Sequence, residues 1–266
     1  MRIKVDNRFK WKYLKYTIIS IASLLVFIGI WALATNVLQL APSYALPSPD
    51  RVFNSFIRKW TSAAPEGSTL GQHLIASTHL AITALLYGSV AGITVGVLMG
   101  WYKPVEIMLR PLVDFIRPIP PIAVIPVMIM LFGIGIEARR AVIFLGVFNI
   151  TLLNSYAGIR QTKDIHLWVS RTFGASNLQQ LFTVAIPSAI PMIFAGLRVA
   201  MGVAWASLVA AEMLAASRGL GFMIHISRAL ARPDLVIVGM IVLGVICLTL
   251  AKLFDFIEKR FVKGGY

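Results

Sequence analysis

WVSRTFGASNLQQLFTVAIPSAIP, residues 168–191, is a polar, glycine-interrupted stretch set between two strongly apolar blocks. On its near side Ala141–Ile159 carries no charge, and on its far side Met192–Ala211 carries only Arg198. Val169, Phe173, Leu178, Leu181 and Phe182 recur at near-helical spacing, Gly174 breaks the run, and Pro187 and Pro191 follow. The pattern predicts two short amphipathic helices hinged at Gly174. Hydrocarbon cannot hold such a piece, because its polar side chains and hinge backbone need water or a protein partner. It has to protrude from a membrane and present its apolar side to something else.

The composition agrees. Over 266 residues, 58% are hydrophobic and the mean hydropathy is +0.80, with apolar runs too long and too many for a soluble domain. The net charge of +14 would suit nucleic acid if it were gathered on one polar domain. Instead the 25 basic residues border the apolar segments, a placement that in a membrane protein reports orientation. Cys247, the single cysteine, sits in an apolar run and reads as a small core residue.

Outward from the opening stretch, the chain divides into six predicted spans. Six basic side chains in residues 1–15 precede a charge-free run from Tyr16 to Pro49, read as a retained first membrane helix and not as a cleaved signal. Ser48-Pro49-Asp50 is a helix start, and Val52, Phe53, Phe56, Ile57 and Trp60 share one face while Arg51, Asn54, Arg58 and Lys59 lie away from it. That describes a short interfacial helix.

Gly67–Tyr102 is again charge-free, and Gly88, Gly92, Gly96 and Gly100 recur every fourth position. On a helix they form a side-chain-free strip that another helix can approach closely, and along which faces can slide. Lys103–Arg117 is a charged connector whose Glu106, Arg110 and Asp114, four apart, predict a solvated stripe. RPIPPIAVIP, 117–126, forbids an uninterrupted helix, so the third span, Pro118–Ile136, has to start late or be broken. Ala141–Ile159 is the fourth span, about Ile190–Met213 the fifth, and Leu235–Ala251 the sixth.

With the N-terminus inside, the inner segments carry sixteen basic residues and the outer segments eight, with Arg198 left within a span. This favours both termini and the Gly174 loop in the cytoplasm. The expected organisation is residues 1–45 for the N-terminus and first helix and 46–72 for an external interfacial helix and loop. Residues 73–260 form a five-helix core with the cytoplasmic loop 161–191, and 261–266 a cytoplasmic tail.

Catalytic signatures are missing from the sequence. There is no G-x-x-x-x-G-K-[ST], no nucleophile elbow, and no metal-ligand spacing among His73, His79, His166 and His225. The reading is a transport subunit and not an enzyme. An ATP-independent channel or secondary carrier is the rival, but no internal repeat is visible and the central thirds of the spans carry no acid. Arg198 and Glu212, the ionisable residues inside a span, are candidate pathway or gate residues together with Trp205, Ser207 and Met128. The alternative for Arg198 is structural anchoring near the inner face. For Glu212 it is pairing with Arg218 or another outer-loop arginine.

Gly174, Pro187 and the intervening Val184 and Ile186 resemble the second half of the cytoplasmic "EAA" loop of binding-protein-dependent ABC importer permeases. Trp168, Val169 and Ser170 stand where that pattern has Glu-Ala-Ala. LPSPDRVFNSF (46–56), RPIPPIAVIPVMIMLFGIGIE (117–137) and GLRVAMGVAWASLVAAEMLAASRGLGFM (196–223) are similar to the taurine, alkanesulfonate and nitrate branch, with the greatest similarity to taurine permeases.

The resemblance implies an all-α integral membrane protein with the MetI-like core of type I ABC importer permeases, in a bacterial inner membrane. It implies a second permease copy in a homodimer, two cytoplasmic ATPase subunits that bind the ATP and Mg, and an external solute-binding protein. The implied cargo is taurine or another alkanesulfonate, with nitrate, bicarbonate or a pyrimidine precursor as alternatives. It assigns ATPase coupling to Val169, Arg171, Thr172, Phe173, Gly174, Ala175, Ser176, Leu178 and Pro187, with Phe173 foremost.

Overall fold

The computed structural model describes residues 7–262, and only the backbone of 7–15, 17, 261 and 262. Arg2, Lys4 and Lys263, used above in the charge count, and all of the tail but residues 261 and 262, lie outside the described residues. The described chain is helical throughout, with turns and short breaks between its helices.

Helix α1 (Asn7–Ala32) runs on through a π-helical turn at Leu33–Val37. Its apolar window, Ile18–Val37, is long enough to cross a bilayer and has no fully buried residue, Trp31 alone packing part-buried on the cluster of Val52 and Leu220. Its C-terminal end is fastened: the Trp31 indole donates to the Pro47 carbonyl at 3.1 Å, and the Asn36 amide donates to Asp50 at 3.1 Å. Helix α2 (Pro49–Thr61) starts after an extended Ser48 with proline in its first turn, as the Ser-Pro pair predicts. It buries Val52, Ser55 and Lys59 and leaves Phe53, Ile57 and Trp60 outward. The sequence reading put Lys59 on the polar face. In the fold its ammonium is buried, 2.8 Å from Glu66, because Glu66 folds back beneath α2 to meet it.

Helix α3 (Leu70–Trp101) begins in a reciprocal cap between Thr69 and Gln72. It lies along α6 (Ile136–Arg160), and at the four glycines of the strip its backbone meets α6 with no side chain of its own between. A Cβ added to Gly88 would come within 2.8 Å of Val147, to Gly92 within 2.6 Å of the Phe148 carbonyl, to Gly96 within 2.9 Å of Ser155, and to Gly100 within 2.7 Å of Ile159. Both series of numbers rise together, so α3 and α6 run parallel. The glycine strip is not a smooth track, since α6 side chains seat in each notch and oppose sliding.

Two parallel helices require the chain between them to return across the bundle. That return is the proline-broken segment. Helix α4 (Lys103–Ile116) is amphipathic and turns by 87° into a 3-10 turn, Pro121–Val124, followed by α5 (Ile125–Phe132). With eight residues α5 is only about 12 Å long, so the crossing needs the turn before it and the irregular link 133–135 after it. The expected solvated stripe on α4 holds for Arg110 and Asp114, 3.6 Å apart and exposed. It fails at Glu106, which is buried and accepts from the Tyr156 hydroxyl at 2.7 Å, tying α4 to α6.

Helix α7 (Asp164–Thr172) and the short α8 (Asn177–Gln180) follow, then a π-helical turn, Leu181–Ala185, and α9 (Ile186–Ala215). Gly146 packs on Val203, Gly196 on Asn154 and Gly158 on Ala189, so α9 is antiparallel to α6. The buried core lies among α3, α6 and α9: Leu80, Ala84, Ile143, Val147, Ala204 and Leu208. What the sequence shows only as a polar tract after the fifth span contains α10 (Leu220–Ala229), which packs on α9 and α11 (Pro233–Val262). Among the described residues five helical segments are long and apolar enough to cross a membrane, six if the bent α4–α5 pair counts as one broken span.

Candidate functional site

The segment between α6 and α9 is built to expose apolar side chains. Phe173 is 86% exposed, and Ile165, Trp168, Val169, Leu178 and Phe182 are also open. Gly174 sits at φ +83°, the left-handed conformation in which a glycine ends one helix so that another can leave at an angle. Ser176 then starts α8 in a reciprocal cap with Gln179, the second helix that the spacing predicts.

The elbow is braced from within. Gln180, buried, donates to the Ala175 carbonyl at 2.9 Å and accepts from Arg171 Nε at 3.3 Å, so α7 and α8 are locked across the glycine. Thr172 bonds back to the Trp168 carbonyl within α7, and Pro187 stands exposed in the first turn of α9. At the base, Leu181, Ala185 and Ala189 join Ile159 of α6 and Val97 of α3 in one buried cluster. A push on the elbow therefore reaches three spans at once.

The five candidate pathway residues do not meet. Arg198 on α9 pairs with Asp255, at 3.0 Å, and with Glu258 of α11. Trp205 is buried in the α3–α6–α9 core and Ser207 is buried on α9, whereas Met128 packs half-buried beside Ile125, Val142 and Ala211.

Of the arginines offered by the sequence as partners of Glu212, Arg218 is not one, since it donates instead to Ser68 at 3.0 Å. Glu212 is buried and accepts from the Ser77 hydroxyl at 2.7 Å and from the Gly221 amide at 2.8 Å. Ser77 Oγ also accepts from the Leu220 amide at 2.8 Å, and His73 Nδ1 accepts from the Gly219 amide at 3.0 Å. Three successive N–H groups at the start of α10 are thus capped by side chains from α3 and α9, satisfying donors that a buried helix end would otherwise leave orphaned. With Nδ1 accepting, His73 turns its Nε2 towards Glu66, 3.4 Å away.

Sequence reasoning passed over His73, Ser77 and Glu66. The signal was present: His73 and Ser77 stand one turn apart in a charge-free span, where a repeated polar position asks for a partner. Glu66 lies outside the spans. Burial acts to raise its carboxyl, and the adjacent His73 and Lys59 more than offset this, so it ionises below the usual carboxylate range.

Comparison with known proteins follows the same lines. The chain is 34% identical over 260 residues to the taurine transport system permease protein of Escherichia coli (strain K12), covering 96% of this chain and 93% of that one. It is 30% identical to a putative aliphatic sulfonates transport permease protein of Bacillus subtilis (strain 168), over 90% of this chain and 84% of the relative. It is 31% identical to a nitrate import permease protein of Synechococcus elongatus, over 75% and 72%. In fold it is similar to a chain of the MetNI methionine ABC transporter in an inward-facing conformation, with a TM-score of 0.60 at 18% identity, covering 74% of this chain and 96% of that one. Residues 88–264 match the family model directly, so the hinged loop and the helices that carry it are those of a binding-protein-dependent transport system inner membrane component, the family to which this chain belongs.

Proposed function

We propose that this chain is the membrane permease of an ABC importer that carries a small sulfonate, taurine or another alkanesulfonate, and draws its energy from a separate ATPase. One observation carries the coupling: a 174-centred elbow holds Phe173 almost fully exposed while its base is buried among three spans. A soluble motor subunit that covers Phe173 gains an apolar contact, and its strokes pass through the Leu181–Ala189 base into α3, α6 and α9. Two copies of the chain form the pathway, two ATPase subunits bind ATP and Mg on the side of the elbow, and an external binding protein delivers the solute. The charge asymmetry supports a cytoplasmic elbow and cytoplasmic termini in a bacterial inner membrane. The alkanesulfonate reading rests on the relatives above.

The test is reconstitution. Proteoliposomes containing the chain and its ATPase, supplied with binding protein, accumulate taurine only when ATP is enclosed on the ATPase side. Uptake by the chain alone, or a thiol reagent reaching a cysteine at position 173 from outside intact cells, overturns the proposal. Uptake of nitrate but not taurine by the complete complex overturns the substrate assignment alone.

A further inference from the structure

On the face of the bundle opposite the elbow, the outer ends of α1, α2 and α11 enclose an open cavity of about 1240 Å³. Its walls hold Arg51, Arg58 and Arg232 against Asp50 and Asp234. Both acids are already engaged. Asp234 accepts from Arg232 at 2.7 Å and from the Ser55 hydroxyl at 2.6 Å, and Asp50 accepts from Asn36 at 3.1 Å. Arg51 and Arg58 have no acidic partner among the described residues, so the cavity keeps two uncompensated guanidinium groups.

We infer that this cavity binds a phosphodiester oxyanion, presented as the headgroup of an anionic membrane phospholipid. Guanidinium groups suit that ligand because they offer paired donors to two oxygens of one anion. A lipid, not a dissolved ion, is favoured by what surrounds the site. Phe53, Ile57 and Trp60 on the outward face of α2 place the cavity at headgroup depth. Directly below it, α1 crosses without burying its span against the bundle, which leaves a lateral seam for acyl chains. The bound lipid then fills the space between α1 and the core. This inference depends on neither the solute nor the ATPase.

Native mass spectrometry of the full chain in a neutral detergent, titrated with phosphatidylglycerol or phosphatidylcholine, tests it. The wild type should retain phosphatidylglycerol at least about five-fold better than phosphatidylcholine, and the Arg51→Gln/Arg58→Gln variant should lose that preference. Arg51→Lys/Arg58→Lys should keep part of it, and Lys163→Gln, on the opposite face, all of it. Monodispersity on size exclusion and an unchanged melting curve report that the variants are folded. Equal phosphatidylglycerol retention by the wild type and the Gln variant overturns the site. Displacement of the lipid by millimolar inorganic phosphate or methanesulfonate overturns the lipid as its source.

Discussion

The Glu212 carboxylate reaches nine residues forward to the Gly221 amide, 2.8 Å away, and thereby fixes where α10 begins. The turn between them is too tight for a side chain: Gly219 has φ +138°, and a Cβ there would lie 2.6 Å from Glu212 Oε2.

Replacing Glu212 with alanine leaves Ser77 and the Gly221 amide buried without their acceptor. The expected loss is about 2–4 kcal/mol of stability, seen as a lower melting temperature in detergent. Glu212→Gln keeps one acceptor and should lose less. Gly219→Ala should destabilise as well, through the same carboxylate. Wild-type melting of all three variants would show that α10 is held in some other way.

Gly92→Ala forces the backbones of α3 and α6 apart, since the new methyl would fall within 2.6 Å of the Phe148 carbonyl. The expected cost is about 1–3 kcal/mol. Gly71→Ala, on the same helix with nothing within 4 Å, is the control and should be neutral or stabilising by a few tenths of a kcal/mol. Parallel melts of the two variants separate close approach from helix propensity.

Phe173→Asp changes a side chain that supports nothing within the chain, so its melting temperature should match the wild type to within about 0.5 kcal/mol of stability. ATP-driven uptake and copurification of the ATPase should both fall sharply. Gly174→Asp should also uncouple transport while sparing the fold, at the local cost of about 1 kcal/mol for a side chain in the left-handed region. Normal uptake by both variants would remove the elbow from the coupling path.

Glu66 offers a pH test. Its folded carboxyl ionises below the ordinary value of 4.5, so the stabilisation it provides is fully present above that pH and disappears as pH falls through the lower folded value. Glu66→Gln should therefore melt earlier than the wild type at neutral pH, and the gap should close on acidification. A gap independent of pH would mean that shape, not charge, holds Lys59 and His73 in place.

The elements with a strong local signature were legible in the sequence. The Gly174 elbow announced itself through apolar residues at near-helical spacing interrupted by a glycine and followed by two prolines. The broken third span announced itself through the prolines of 117–126, which remove backbone donors wherever they sit. The glycine strip was visible, but not its partner, because a strip of hydrogens says that something approaches and not what. Periodicity also misplaced Lys59 and Glu106. A solvated face and a buried ion pair use the same residue types, and only the tertiary fold brings Glu66 under α2 and Tyr156 over α4. The α10 cap was hidden for the same reason, its members lying up to 146 residues apart.

Along the four glycines of α3 no Cβ acts as a spacer against α6, so that stretch of the seam has nothing soft in it. A displacement of either helix along the other runs Val147, Thr151 or Ile159 into peptide groups instead of into flexible side chains. The pair is therefore a single strut. The compliance that a transport cycle demands has to be found next door, in the short α5 with its prolines ahead and its glycines behind, a link that can swing while the strut stays rigid.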